Sequence, residues 1–173
     1  VDYRELIVDN AVEVIDLCTQ PTLREDVVLS AATAGKHIIT EKPFGLTIEA
    51  CLRMVKAADE ARIKLAIHQN YRWMKMNYLA YHIINRGFIG VPFFASIAIF
   101  GRQDVSLAGH PFYSQSDNFL TVQWDNHLAD LLRYWTGRDA VRVFARTGRM
   151  KGQNFLNDNL LVVVTDFGEG LTG

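Results

Sequence analysis

The sequence is poor in cysteine and proline and has no long apolar run. Its 173 residues include two cysteines and four prolines. Cys18 and Cys51 match no zinc or redox spacing, so we expect free, buried thiols in a reducing compartment. The most apolar stretch, 91–100, has about half of the ~20 residues that cross a bilayer, and no basic segment precedes an apolar one near the N-terminus. Membrane insertion and secretion are therefore disfavoured, and we expect a cytoplasmic protein.

The sequence also has no excess of charge of either sign. It carries 18 Lys and Arg against 19 Asp and Glu, for a net charge of -1. No basic run could neutralise a phosphate backbone, which disfavours nucleic acid as a partner. With 49% hydrophobic and 21% charged residues, the composition is typical of a globular protein and not of a disordered one.

Short apolar runs alternate with helical patterns through residues 1–73. Strands are predicted at 12–17, 36–40 and 65–68, with helices at 23–34 and from the cap residue Thr47 to about 61. Single helices between strands imply right-handed crossovers and a parallel sheet. This segment is predicted to be the second half of a doubly wound α/β domain. No G-x-G-x-x-G pattern occurs, so we expect that fingerprint upstream of Val1.

The helix at 23–34 should bury one stripe of its surface. That stripe is formed by Leu23, Val27, Val28, Ala31 and Ala32.

The pattern changes after residue 73, and a second, partial α+β domain is predicted over 74–173. It begins with a helix ending at Gly87 and continues past Gly173 in an unfinished sheet. The other predicted elements are a long strand at 93–100, a surface loop at 101–116, a helix at 117–135 and strands at 141–146 and 160–167.

The tripeptide Glu41-Lys42-Pro43 follows the second strand, at the edge where open α/β sheets bind ligands. Pro43 favours an extended Lys42, which can then donate to a substrate hydroxyl or carbonyl oxygen. Desolvation or nearby positive charge would lower the pKa of this lysine. The alternative interpretation is a solvated loop lysine beside Glu41.

One face of the helix at 117–135 combines apolar and polar side chains. Its members are Leu120, Gln123, Trp124, His127, Leu131 and Tyr134. His127 is either a core histidine or a proton acceptor at a cleft, and Asp130 could orient its imidazole.

Two further polar clusters lie at predicted strand ends. Residues 68–73 offer amide and guanidinium groups that suit hydroxyl-rich or anionic ligands, or simply hydrogen bonds within the protein. Thr19-Gln20-Pro21 could line the edge of a cofactor. The five histidines show no metal-binding spacing, so no metal site is predicted.

Four segments follow one another in a distinctive order. They are Val14-Ile15-Asp16-Leu17-Cys18-Thr19, the run from Ala34-Gly35-Lys36-His37 to Glu41-Lys42-Pro43, Asn70-Tyr71-Arg72, and Gly87-Phe88-Ile89-Gly90. Together they resemble the Gfo/Idh/MocA family of NAD(P)-dependent oxidoreductases. The resemblance implies a Rossmann domain joined to an α+β domain with an open, mostly antiparallel sheet, through which family members commonly associate as homo-oligomers. It also implies that this chain is an internal piece of a longer protein.

The resemblance assigns roles to individual residues. Lys42 and His127 correspond to the catalytic lysine and histidine, and Arg72, Gln123 and these two would bind the substrate. Binding of NAD or NADP is assigned to Thr19, Gln20, Pro21, Glu41, Lys42, Pro43, Asn70 and Arg72.

Gln123 departs from the family pattern, which places Asp four residues before the histidine. A glutamine can hydrogen-bond a hydroxyl but cannot take its proton. The implied activity is hydride transfer between a nicotinamide and a hydroxyl carbon of a sugar, inositol or similar polyol. Two alternatives stay open: a glycosidase in which NAD is reduced and reoxidised within one turnover, and a non-catalytic nucleotide sensor.

Overall fold

The computed structural model describes residues 2–114 and 119–173. The chain forms two compact units, Val1–Gln69 and Asn70–Gly173. No helix in the described parts is long and apolar enough to cross a membrane.

The first unit alternates helices with the strands of a parallel sheet. Its elements are α1 (Tyr3–Val8), β1 (Val14–Leu17), α2 (Pro21–Thr33), β2 (His37–Thr40), α3 (Ile48–Glu60) and β3 (Leu65–Ile67). The sheet has three strands in the order β1-β2-β3, so β2 is central. Ile15 pairs with Ile38, and Ile39 with Ala66, in parallel register. The predicted parallel α/β arrangement is confirmed.

One face of this sheet packs on α2 and α3. Period-two alternation turns Ile15, Leu17 and Ile38 inward, where Val28 and Met54 meet them. A local signal also sets the start of α3: the Thr47 side chain accepts from the Ala50 amide and caps the helix. The core of the first unit is therefore a single layer between sheet and helices.

The stripe predicted on α2 is wrong at its first position. Leu23 is 49% exposed, whereas Arg24 is 1% exposed. Arg24 stands three and four residues before Val27 and Val28, which is the true spacing of the inward face. Its guanidinium tolerates burial because backbone carbonyls accept from it.

The prediction of two buried thiols is wrong for Cys18, which is exposed, and Cys51 is half-buried. Cys18 lies two residues after Asp16, on the face of β1 that points away from the helices, and its Sγ is 3.6 Å from Asp16 Oδ1. Both cysteines are free.

The second unit begins with a 3-10 turn and ends with a two-stranded antiparallel sheet. Its elements are the 3-10 turn (Asn70–Trp73), α4 (Lys75–Asn85), α5 (Gln103–Ser106), α6 (Pro111–Ser114), a π-helical turn (Thr121–Asp125), α7 (Asn126–Thr136), β4 (Arg142–Gly148) and β5 (Leu160–Asp166). Helices α4 and α7 pack together, and the Trp135 indole donates to the Asn77 carbonyl at 3.1 Å. The predicted pair of strands is confirmed with small shifts of its ends.

The long strand predicted at 93–100 is wrong. Within the described residues, this segment pairs only around Phe94, in an isolated bridge with Thr172. The Thr172 amide donates to the Phe93 carbonyl, and the Ala95 amide donates to the Thr172 carbonyl. A strand needs a hydrogen-bonded neighbour along its length, and the described chain provides one for only a few residues.

The loop predicted at 101–116 contains α5 and α6 and is not wholly a surface excursion. Asp104 is fully buried and accepts from Arg102 and from the Asn154 amide. The helix predicted at 117–135 is described from Phe119, and its first two residues lie outside the described part. It ends at Thr136, where Gly137 adopts a left-handed φ of 67°.

Candidate active site

Parallel pairing places the polar ends of three strands at one edge of the first unit. Thr19 follows β1, Glu41-Lys42-Pro43 follows the central strand β2, and His68-Gln69 follows β3. The strand pairing continues into this edge, because the Glu41 amide donates to the Leu17 carbonyl and the His68 amide to the Thr40 carbonyl. Open α/β sheets bind their ligands at this edge.

Glu41 ties the end of β2 to the end of β3. Its Oε1 lies 3.0 Å from His68 Nδ1, and its Oε2 accepts from the backbone amide of Lys42 at 3.2 Å. An ionised carboxylate can only accept, so Nδ1 of His68 is the donor. The two contacts fix the path of the chain as it enters Lys42.

The Lys42 side chain is half-buried at this edge. Burial lowers the pKa of its ammonium group, Glu41 opposes that shift, and the positive charge of Arg24 adds to it. A lysine whose charge is partly destabilised gains more from a hydrogen bond to an oxygen that becomes negative.

Arg24 connects the loops after β1 and β2. Its guanidinium donates to the Thr19 carbonyl at 2.8 Å and to the Pro43 carbonyl. Desolvation lowers the pKa of this arginine, and Glu41 opposes the shift. Arg24 was not predicted from the sequence, although its position on the inward face of α2 was a usable signal.

Two buried oxygens at this edge have no hydrogen-bond partner among the described residues. They are Thr19 Oγ1 and Gln69 Oε1. Buried polar atoms are normally paired, so a bound group with its own donors would satisfy them. The predicted neighbour Gln20 is exposed, and Pro21 opens α2 as its first residue. The free acceptors of Thr19 and Gln69 suit the N–H and O–H donors of a nicotinamide nucleotide. Gln69 was not among the residues predicted to bind it.

The second unit gathers the other predicted residues around α7. His127 and Gln123 are buried at 3% and 5% exposure. Gln123 lies in the π-helical turn that precedes α7, and such turns are frequent at functional sites. The sequence stripe predicted this shared face, but nothing in it indicated the π turn.

Arg72 and Asp130 form a bidentate ion pair. Arg72 Nε and Nη2 donate to the two carboxylate oxygens at 2.7 and 2.5 Å, and the interaction raises the pKa of Arg72. The Arg72 guanidinium also lies over the Tyr134 ring, 5.2 Å from its centroid. Both oxygens of Asp130 thus serve Arg72, whereas the sequence suggested that Asp130 orients His127.

The predicted site residues therefore form two sets. Thr19, Glu41, Lys42 and Pro43 share the sheet edge of the first unit, and Arg72, Gln123 and His127 belong to the second unit. Asn70 is exposed at the start of the 3-10 turn. No group of three His, Cys, Asp or Glu side chains suited to a metal ion occurs in the ranges that the structure covers.

Residues 1–69 match the family model GFO_IDH_MocA, described as an oxidoreductase family with an NAD-binding Rossmann fold. The first unit of the chain thus matches the Gfo/Idh/MocA family. The resemblance seen in the Glu-Lys-Pro segment and its neighbours is thereby confirmed.

Individual relatives and solved structures extend the similarity over both units. D-apiose dehydrogenase of Paraburkholderia graminis is 27% identical over 95% of this chain and 43% of its own length. Levoglucosan dehydrogenase of Pseudarthrobacter phenanthrenivorans is 37% identical over 51% of this chain and 23% of its own. An Agrobacterium radiobacter oxidoreductase, solved with NAD+, L-tartaric acid and magnesium, shares the fold, with a TM-score of 0.85 at 23% identity over 99% of this chain and 49% of its own.

The chain spans about half the length of the curated relatives that it matches along most of its residues.

Replacing Arg24 tests its role at the sheet edge. Arg24→Met should lower the free energy of unfolding by about 2–3 kcal/mol, because two buried carbonyls lose a charged donor. Chemical denaturation of the protein that carries this sequence measures the change. The control is Arg53→Met, which removes an exposed pair with Glu25 and should cost less than about 1 kcal/mol. Equal effects of the two variants would contradict this role.

The environment of Lys42 predicts where its ammonium group titrates. Its midpoint should lie below the ordinary 10.5, since burial disfavours the charged form. The unfolded chain then holds this proton more tightly, so the burial costs stability at neutral pH, and the cost fades as the pH rises toward 10.5. Carbon NMR of the reductively methylated protein measures the midpoint, with Lys42→Arg identifying the signal. Because methylation itself lowers the pKa of a lysine, the reference is the set of exposed methylated lysines, and a Lys42 midpoint at or above theirs would refute the prediction.

Proposed function

We propose that the protein carrying this chain is an NAD- or NADP-dependent dehydrogenase of sugars, inositols or similar polyols. The observation that carries the proposal is the half-buried Lys42 on the loop after the central strand of a parallel sheet, with its ammonium pKa lowered. The match of residues 1–69 to an NAD-binding oxidoreductase family supports it, as do the names of two relatives, D-apiose dehydrogenase and levoglucosan dehydrogenase.

We assign nucleotide binding and substrate binding to different parts of the chain. Residues 1–73 hold the nucleotide, with Thr19, Gln69 and the Glu41-Lys42-Pro43 loop as its ligands in the first unit. Support comes from the two buried oxygens of Thr19 and Gln69, which have no partner among the described residues. Gln20, Pro21, Asn70 and Arg72 complete the proposed nucleotide set. Residues 74–173 supply substrate contacts and the surface for self-association.

In the proposed reaction a hydroxyl carbon loses a hydride and its oxygen loses a proton. A nicotinamide, when bound, would accept the hydride. His127 takes the hydroxyl proton, because neutral imidazole is a competent base near pH 7. Lys42 donates to the oxygen as negative charge develops there.

Gln123 and Arg72 complete the proposed substrate contacts. The amide of Gln123 can donate to a second hydroxyl of the substrate but cannot accept its proton. This leaves proton removal to His127. Arg72 keeps hydrogen-bonding capacity beyond the two nitrogens that serve Asp130, since a guanidinium has five N–H donors.

The whole protein, supplied with NAD or NADP and a panel of sugars and polyols, tests this proposal. We expect a substrate-dependent rise in reduced-nicotinamide absorbance. His127→Ala should lower turnover by roughly 10²–10⁴, since it removes the general base. Lys42→Met should lower it by about 10²–10³, since it removes a donor to the developing charge.

A matched control is Lys56→Met, which removes an exposed lysine paired with Glu60 and should leave turnover unchanged. Hydrolysis without net absorbance change would favour the redox-neutral glycosidase. Nucleotide binding without turnover of any substrate would favour the sensor. Either outcome would refute the dehydrogenase.

We also propose that the whole protein self-associates through the sheet of β4 and β5. One face of this sheet exposes Phe144, Leu160, Val162 and Val164, and Phe144 lies directly opposite Val164. Contiguous exposed apolar side chains of this kind favour burial against another surface. The double variant Phe144→Glu, Val164→Glu should shift the oligomer toward monomer in sedimentation. A wild-type protein that sediments as a monomer would contradict the proposal.

A further inference from the structure

The imidazole of His127 is stacked on an aromatic ring from a different element. The rings of Tyr71 and His127 have centroids 4.0 Å apart and planes 6° from parallel. Tyr71 belongs to the 3-10 turn, and His127 to the first turn of α7. A face-to-face contact at this distance restricts rotation of the imidazole about its terminal torsion, which is otherwise broad.

Two contacts hold the backbone around Tyr71. Its own carbonyl accepts from the Asn77 side chain at 2.8 Å. The next residue, Arg72, holds Asp130 through two hydrogen bonds, and Asp130 lies three residues after His127 on the same helix. The ion pair therefore anchors the turn that carries Tyr71 to the helix that carries His127.

We propose that Tyr71 is a positioning residue that sets the plane of the His127 imidazole for proton transfer. This inference rests on the proposed function, because it takes His127 as the base. The contact is made by the ring face of Tyr71, so phenylalanine can replace it and an aliphatic side chain cannot. A base must present its nitrogen along a defined direction, and loss of orientation costs rate more than it costs binding.

Two variants of Tyr71 test the proposal in the whole protein. Tyr71→Leu should lower kcat on the order of 10- to 100-fold, with the KM for substrate and the Kd for nucleotide within about twofold of wild type. Tyr71→Phe should keep kcat within about twofold of wild type, since it retains the stacking ring. Should Tyr71→Leu fail to fold, Tyr71→Met takes its place with the same expectation.

A spectroscopic signal reports the stack without relying on activity. The Tyr71 ring should shield the imidazole protons of His127 and move their proton NMR signal upfield. The shift should persist in Tyr71→Phe and vanish in Tyr71→Leu, with His127→Ala identifying the signal.

The matched control is Tyr81→Leu. The Tyr81 ring of α4 stacks on Tyr134, which lies in α7 like His127. The ring centroids are 4.3 Å apart and the planes 9° from parallel, so loss of the Tyr81 ring removes a similar contact from α7. We expect its kcat and the His127 signal to stay at wild-type values. An equal fall in kcat in both variants would overturn the positioning role and indicate a general effect on α7.

The remaining outcomes separate this inference from the proposed function. Hydride transfer that is as fast in Tyr71→Leu as in wild type would overturn the positioning role alone. A wild-type protein that transfers no hydride, whatever its NMR spectrum, would overturn the proposed function and the positioning role with it.

Discussion

The buried guanidinium of Arg24 is the contact on which the sheet edge of the first unit depends. A cation at 1% exposure is costly unless its donors are satisfied. Here the carbonyls of Thr19 and Pro43 accept from it, so one side chain from α2 holds the loops after two neighbouring strands. Its charge also reaches Lys42, whose ammonium pKa it helps to lower. Arg24 therefore contributes to both the structure and the electrostatics of this edge, with burial as the larger cause of the lowered Lys42 pKa.

The second unit positions its candidate site residues in a different way. Instead of strand ends, it uses a helix face and a short turn joined by the ion pair of Arg72 and Asp130. The desolvation of this ion pair is partly compensated. Both carboxylate oxygens accept hydrogen bonds, and the guanidinium also lies over the Tyr134 ring. His127 is then held between its own helix and the ring of Tyr71. The contacts of the second unit orient the His127 imidazole, whereas the first unit forms a polar sheet edge.

Much of the first unit could be predicted from sequence. Alternating short apolar runs and helical patterns require a parallel sheet, and parallel strands place Thr19 and Lys42 at the same edge. Two buried charges were not predicted from the sequence. Arg24 and Lys36 look like surface residues by type, yet each is buried because backbone carbonyls accept from it, and such acceptors are set by loop geometry.

Less of the second unit could be predicted, because its structure depends on contacts between residues far apart in the sequence. Residues 93–100 have strand composition, but a strand forms only where another segment pairs with it. Among the described residues, this segment is paired only around Phe94, by Thr172. The face shared by Gln123 and His127 follows from helical periodicity. The stack of Tyr71 on His127 does not, because it joins residues more than fifty positions apart.

We propose that the whole protein moves a hydride from a hydroxyl carbon to a nicotinamide, and transfer of deuterium tests this proposal most directly. The substrate is a polyol or sugar that carries deuterium at the reacting carbon, and mass spectrometry follows the nucleotide. We predict that deuterium accumulates in the reduced nicotinamide, in step with formation of the carbonyl product, and that His127→Ala slows both. Binding of the nucleotide without any transfer of deuterium to it would contradict the account.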